Sequence, residues 1–167
     1  MQDQKLNIHH IFIGCIVTVL FMMACTMSED SNPDIMTNSN ENQAAITAVK
    51  CSGQPNNYTL NVTIKSPDTG CDQYADWWEV FNSDGILIYR RILGHSHVNE
   101  QPFTRSGGIV DVGPDDFIYV RAHMNNLGYG SLVFSGTLRN DLQPDTLDTS
   151  FAMDLATMAP LPDDCAF

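Results

Sequence analysis

Three features of the sequence predict an all-β chain folded as an antiparallel β-sandwich. Residues 58–65 alternate apolar and polar side chains with period two. An Asp-Gly pair sits between two apolar stretches, as in a tight hairpin. Glycine- and proline-containing breaks recur at regular spacing through the body of the chain.

Residues 45–51 read as the first strand, with Cys51 at its end and the run from Ser52 to Asn57 as the turn. Tyr58, Leu60, Val62 and Ile64 then alternate with Thr59, Asn61, Thr63 and Lys65, giving a strand with one buried face. Ser66-Pro67-Asp68-Thr69-Gly70 ends it. Residues 76–81 and 86–93 flank Asn82-Ser83-Asp84-Gly85, whose Asp-Gly favours a two-residue type I′ turn. That register sets Phe81 opposite Ile88, Glu79 opposite Arg90 and Trp77 opposite Ile92. On the other face Val80 meets Tyr89 and Trp78 meets Arg91. The ion pair and the cation–π contact are each worth no more than about 1 kcal/mol, yet they favour this register. A four-residue loop sets Glu79 against Ile88 instead.

Residues 94–108, GHSHVNEQPFTRSGG, read as a polar loop. Residues 109–112 form a short strand closed by Gly113-Pro114-Asp115-Asp116. In residues 117–124, Ile118, Val120, Ala122 and Met124 alternate with Phe117, Tyr119, Arg121 and His123. Parity puts His123 on the polar, solvent-facing side with Tyr119 and Arg121. A glycine-rich turn at 125–130 leads to a last strand at 132–138. About seven short strands at this spacing predict a sandwich of immunoglobulin or fibronectin type over residues 46–140. In the tail, 141–167, Leu147, Phe151, Leu155 and Met158 fall at helical spacing before Pro160 and Pro162, so a short C-terminal helix is expected on the sandwich.

The first 24 residues have a polar start with one cation, Lys5, and an apolar run over 11–24. Those fourteen residues fall short of the ~20 that a helix needs to cross a bilayer and suit a secretory signal. The run ends Leu20-Phe21-Met22-Met23-Ala24-Cys25 and the chain then turns polar. A small residue followed by Cys at this point resembles the lipobox of bacterial lipoproteins, with Met22 where the usual pattern has Leu. The resemblance implies cleavage before Cys25, acylation of Cys25 and anchoring to the lipid membrane. Cys15 is the rival position, but cutting there leaves almost no apolar segment. Residues 25–45 are then a lipidated Cys and a flexible tether, rich in Ser, Asn, Asp, Glu and Gln. The acidic residues just after Cys25 resemble the surface-export signals of some lipoproteins, which implies the outer membrane or cell surface of a bacterial envelope.

Eight Lys or Arg against twenty Asp or Glu give a net charge of −12. Such a surface excludes nucleic acid as a partner, because phosphates demand positive charge. Cys51, Cys71 and Cys165 remain beyond Cys15 and Cys25. If Cys51 closes one end of a hairpin, Cys71 lies ~25 Å from it at 3.3 Å per residue, too far for a disulfide. Pairing of Cys71 with Cys165 is expected, stapling the tail to the domain.

Candidate chemistry is concentrated in the 94–108 loop. His95 and His97 lie two apart and project to one side of an extended backbone, where both imidazoles can ligate Cu or Zn. Glu100 or His123 would supply a third ligand if the loop folds over the polar face. The competing reading makes these histidines loop hydrogen-bonders beside Glu100. No Gly-x-Ser-x-Gly elbow, glycosidase carboxylate pair or phosphate-binding glycine loop is present. The sequence therefore predicts no enzyme and no cofactor. It predicts a binding or structural module with a protein or glycan partner, and a Cu or Zn protein using the His95/His97 loop as the alternative. Residues 58–138, with Asp76-Trp77-Trp78-Glu79 and the run 90–108, resemble an uncharacterised group of secreted bacterial β-sandwich proteins, which implies no activity.

Overall fold

The computed structural model describes residues 42–166. The chain divides into two units, Met1–Asn32 and Pro33–Phe167, the first lying wholly outside the described residues. The readings of the signal segment, of Cys25 and of nearly all the tether therefore fall outside them.

Strands β1 (Ala45–Gln54) and β2 (Asn57–Lys65) form a hairpin around Pro55-Asn56, with Asn56 at φ 63°. On the other side of β2 the strands that follow next in sequence are passed over in favour of a later one. The chain first runs through β3 (Ala75–Asn82) and β4 (Leu87–Ile92) before reaching β5 (Phe103–Ser106). The first sheet is thus β1-β2-β5. The second contains β6 (Ile118–Met124), β7 (Gly128–Tyr129), β8 (Leu132–Gly136) and β9 (Gln143–Thr146), in the order β4-β3-β6-β8-β9 with β7 paired to β6. Every strand pair is antiparallel.

The core follows from the alternation. Leu60, Val62 and Ile64 of the first sheet and Trp78, Val80, Val120 and Ala122 of the second belong to one buried cluster. Burying each Leu, Val or Ile among them contributes about 1.5–3 kcal/mol. Trp78 is fully enclosed, and Gly107 leaves room for it: a Cβ at 107 would sit 2.6 Å from the indole.

The structure corrects several expectations. The β3–β4 turn is not type I′. Only Gly85 has positive φ, and its N–H donates to the Asn82 carbonyl at 3.0 Å. Asn82 Oδ1 accepts from the N–H of Asp84 and of Ile86. A side chain able to bond both amides favours a three-residue loop with glycine in the left-handed position. A bulge then restores the expected register, so Trp77 faces Ile92, Glu79 faces Arg90 and Val80 faces Tyr89, while Phe81 meets Leu87 instead of Ile88. The 94–108 run is not all loop, because β5 pairs with β2 there. Residues 109–112 are no strand: Val110 makes a single bridge to Tyr58. The sheet also passes residue 140, taking in β9, whose Pro144 is tolerated because β9 is an edge strand. The tail's helical spacing yields only a 3₁₀ turn, Met153–Thr157, burying Leu155 and leaving Met158 exposed.

Candidate functional site

The second sheet has an outer face that parity makes polar, and the tail covers it. Trp77, Glu79 and Phe81 come from β3, Arg90 from β4, and Tyr119, Arg121 and His123 from β6. Glu79 stands opposite Arg90 on one side and Arg121 on the other. Glu79 is fully buried, Arg121 is 1% exposed and Arg90 6%. One carboxylate oxygen, Oε2, accepts from Arg90 Nε at 2.9 Å, from Arg90 Nη2 at 2.5 Å and from the Trp77 indole at 3.1 Å. The other, Oε1, accepts from Arg121 Nε at 2.8 Å.

The remaining guanidinium donors reach the tail backbone. Arg121 donates to the Phe151 carbonyl at 2.7 Å and the Ala152 carbonyl at 2.8 Å. Arg90 donates to the carbonyls of Leu155 at 2.6 Å, Met158 at 2.5 Å and Pro160 at 3.0 Å. A tail with no ladder of its own against this face would bury unpaired carbonyls, and the arginines satisfy them. Aromatic rings complete the packing: the Arg90 guanidinium lies 4.5 Å from the Trp77 ring, and that of Arg121 3.4 Å from the Tyr129 ring. Burial, and then the Glu79 carboxylate, push the Tyr129 hydroxyl well above its ordinary range, so it is neutral at physiological pH.

Beside this clamp the end of the tail borders a cleft of about 610 Å³. Cys71 and Cys165 form a disulfide along it, with Cα atoms 5.7 Å apart. Asp72, Asp76, Asp163 and Asp164 line it together with Tyr74 and His123. Asp76 Oδ1 bonds His123 Nδ1 at 2.7 Å, and the imidazole stacks on Trp77 with ring centroids 3.7 Å apart. Asn125 ties the turns beneath together, accepting from the Tyr74 N–H and donating to the Cys71 carbonyl. Burial first, then the carboxylates of Asp76, Asp164 and Asp68, raise the Tyr74 hydroxyl above its usual value.

The histidines singled out by the sequence do not converge. His123 lies on the outer face with Trp77 and Tyr129, buried under the tail rather than solvent-facing. His97 turns toward the shared core and stacks on Phe103 at 3.8 Å. Its backbone N–H donates to Asp68 Oδ2 at 2.8 Å, and Asp68 also receives the Ser66 hydroxyl and the Ala75 N–H through Oδ1. Both ring nitrogens of His97 are buried without a hydrogen-bond partner. Burial, then the nearby Arg105 and His95, lower its pKa to about 4. His95 is exposed, with its ring 4.4 Å from that of His97. Glu100 is exposed and paired with Arg105 at 2.7 Å, so its carboxyl sits below the usual range. Among the described residues no group of three or more His, Cys, Asp or Glu is placed to hold a metal ion.

The Arg90–Glu79–Arg121 clamp and the cleft were missed in the sequence, although a signal was present. Glu79 is the one acidic residue inside β3 that two different partner strands could meet with arginine. Only the β4 partner was read, because the neighbour of β3 on its other side depends on long-range topology.

Fold and site together define a two-sheet antiparallel β domain whose tail is fixed over the second sheet by arginines and a disulfide. A segment of 71 residues, 42% of the chain, is 41% identical to a protein of Halomicrobium mukohataei named "Putative lipoprotein". The match spans 35% of that protein's own length, so the chain corresponds to about a third of this relative. No family model matches the chain, and no solved structure matches it.

Proposed function

We propose that the protein is an exported, lipid-anchored envelope protein whose β domain is a non-catalytic binding or structural module. The observation that carries this reading is the apolar run over 11–24 meeting Ala24-Cys25, followed at once by a polar, acidic stretch. The name of the Halomicrobium relative supports it. The acidic residues after Cys25 favour the outer membrane or cell surface. The strand order supports an immunoglobulin-like module: β1-β2-β5 against β4-β3-β6-β8 follows the way such sandwiches divide their strands. A non-catalytic role is supported by how the buried charges are used. Glu79, Arg90 and Arg121 hold one another and the tail backbone. No observation favours the Cu or Zn alternative at His95 and His97.

The test is Cys25→Ser in a host that processes lipoproteins. The expected result is loss of labelled fatty-acid incorporation and release from the membrane fraction, or failure of processing. Unchanged membrane partition together with unchanged mature mass overturns the anchor.

A further inference from the structure

We propose that the cleft beside the disulfide binds an organic cation, an alkylammonium or guanidinium group carried by a polyamine or by a basic side chain of a partner. The inference rests on the binding-module reading of the domain and not on the lipid anchor. Four carboxylates line the cleft, from Asp72, Asp76, Asp163 and Asp164, and among the described residues no Lys or Arg does. Asp72, Asp163 and Asp164 are exposed, so their carboxylates reach an entering ligand without rearrangement of the core.

Acidity alone would describe a solvated surface. Two buried polar side chains make it a built site. Tyr74 is 4% exposed, lines the cleft, and its hydroxyl has no hydrogen-bond partner among the described residues. His123 is 8% exposed and also lines it; Asp76 fixes its Nδ1, and its Nε2 has no partner among the described residues. Each side chain is buried along most of its length while its free polar atom opens to the cleft, so both are placed beside the carboxylates to meet a ligand that brings hydrogen-bond donors. In the tautomer that donates Nδ1–H to Asp76, Nε2 is an acceptor, and the tyrosine oxygen accepts as well.

An organic cation fits better than a metal ion. The described carboxylates and imidazole are not gathered closely enough for three to ligate one ion. They are spread around about 610 Å³, which suits several N–H donors on an extended group. Recognition is by carboxylate and acceptor contacts rather than by the Trp77 ring, whose neighbourhood His123 and Arg90 already occupy.

The experiment uses the purified full-length chain in detergent, titrated at low ionic strength with spermidine and separately with a short Lys/Arg peptide, and followed by NMR of the Tyr74, His123 and Asn125 amides. Saturable shifts confined to these positions are expected with at least one probe; spermidine alone assigns a free polyamine and the peptide alone a partner's side chain. Asp72→Asn and Asp164→Asn, both at exposed positions, should each weaken binding by at least roughly tenfold, as for a lost charged hydrogen bond. Tyr74→Phe should weaken it less, and Asp115→Asn, away from the cleft, not at all. Non-saturating shifts shared with Asp115 overturn the proposal. So does wild-type binding by the Asp72 and Asp164 variants, or saturation by Ca²⁺ or Zn²⁺ alone where neither organic probe binds. Membrane partition plays no part in this readout, so failure here leaves the anchor reading intact, and failure of the Cys25 test leaves this one intact.

Discussion

Trp77 and Trp78 are adjacent in β3, and their side chains meet opposite environments. Trp78 enters an apolar core closed by a second sheet, whose backbone is already satisfied by its own ladders. Trp77 lies on the face closed by a tail with little regular structure, beside a buried carboxylate and two buried guanidiniums. The contrast shows what decides the chemistry of a covered face. A sheet arrives with its amides and carbonyls paired and asks only for apolar contact. A tail arrives with free carbonyls, and the face beneath it must carry donors. Glu79 then keeps those two donor cations together at a burial where neither would be stable alone.

The largest effect should come from breaking that unit. Glu79→Gln leaves two buried guanidiniums without their counter-charge, and removing one partner of a buried pair typically costs ~3–5 kcal/mol. Urea unfolding should show the loss, with the m-value falling if the tail also leaves. A further variant separates the tail's role from that of the charges. Replacing Glu79, Arg90 and Arg121 together by Leu and two Met removes every buried charge, a change that is often neutral where charges only hold each other. Here the carbonyls of Phe151, Ala152, Leu155, Met158 and Pro160 lose their donors, so tail amides should lose hydrogen-exchange protection. A triple variant with a protected tail would show that the arginines do not clamp it.

Cys71→Ser with Cys165→Ser should come next. The bridge closes a loop with a sequence separation of 94, and opening a native disulfide typically costs about 2–4 kcal/mol. The arginine contacts end at Pro160, so the two clamps divide the tail. Residues 161–166 should lose protection while 151–160 keep it. Simultaneous release of both segments would assign the tail's retention to the disulfide and reverse the ranking of the two clamps.

The legible part of this fold was what nearest neighbours encode. Alternation in β2, β3 and β6 named the inward residues, and the Glu79–Arg90 pairing fixed the β3–β4 register although the turn type was misread. The Asp-Gly signal was real, but Asn82 two residues before the Asp supplied a side-chain acceptor that a dipeptide rule ignores. β5 was hidden because Thr104, Arg105 and Ser106 are polar, and its pairing with β2 is a long-range event. The outer face was misjudged for the same reason: Arg121 and His123 look solvent-facing until a tail thirty residues downstream is laid on them. His95 and His97 drew attention as a motif, yet Phe103 and Asp68 decide where His97 goes.

His97 gives a smaller, pH-dependent test at the edge of the apolar face. Its pKa of about 4 against the usual 6.5 means that the unfolded chain takes up a proton the folded protein resists. Its contribution to stability is complete above about pH 6.5 and is lost as the pH falls through 4. His97→Phe keeps a flat ring for Phe103 and removes the titration, so its denaturation midpoint should fall less than that of the wild type between pH 6.5 and 4. Equal slopes would mean that His97 opens to solvent in solution and titrates normally.

The smallest effect is expected where the same residue types meet in water. Arg139 and Asp115 form a two-pronged pair, Nε to Oδ1 at 2.5 Å and Nη2 to Oδ2 at 2.7 Å, geometry at least as good as that around Glu79. Their side chains are 58% and 68% exposed, however, so neither ion has left its hydration behind. Bulk dielectric weakens the attraction and salt screens it. The pair does hold the Asp115 carboxyl below its ordinary range, through the hydrogen bond from Arg139 first. That small contribution is present above the usual carboxylate pKa and fades in acid. Arg139→Gln at neutral pH and physiological salt should therefore leave the urea midpoint within error of the wild type. A loss approaching that of Glu79→Gln would mean that pair geometry, and not burial beneath the tail, separates the two sites.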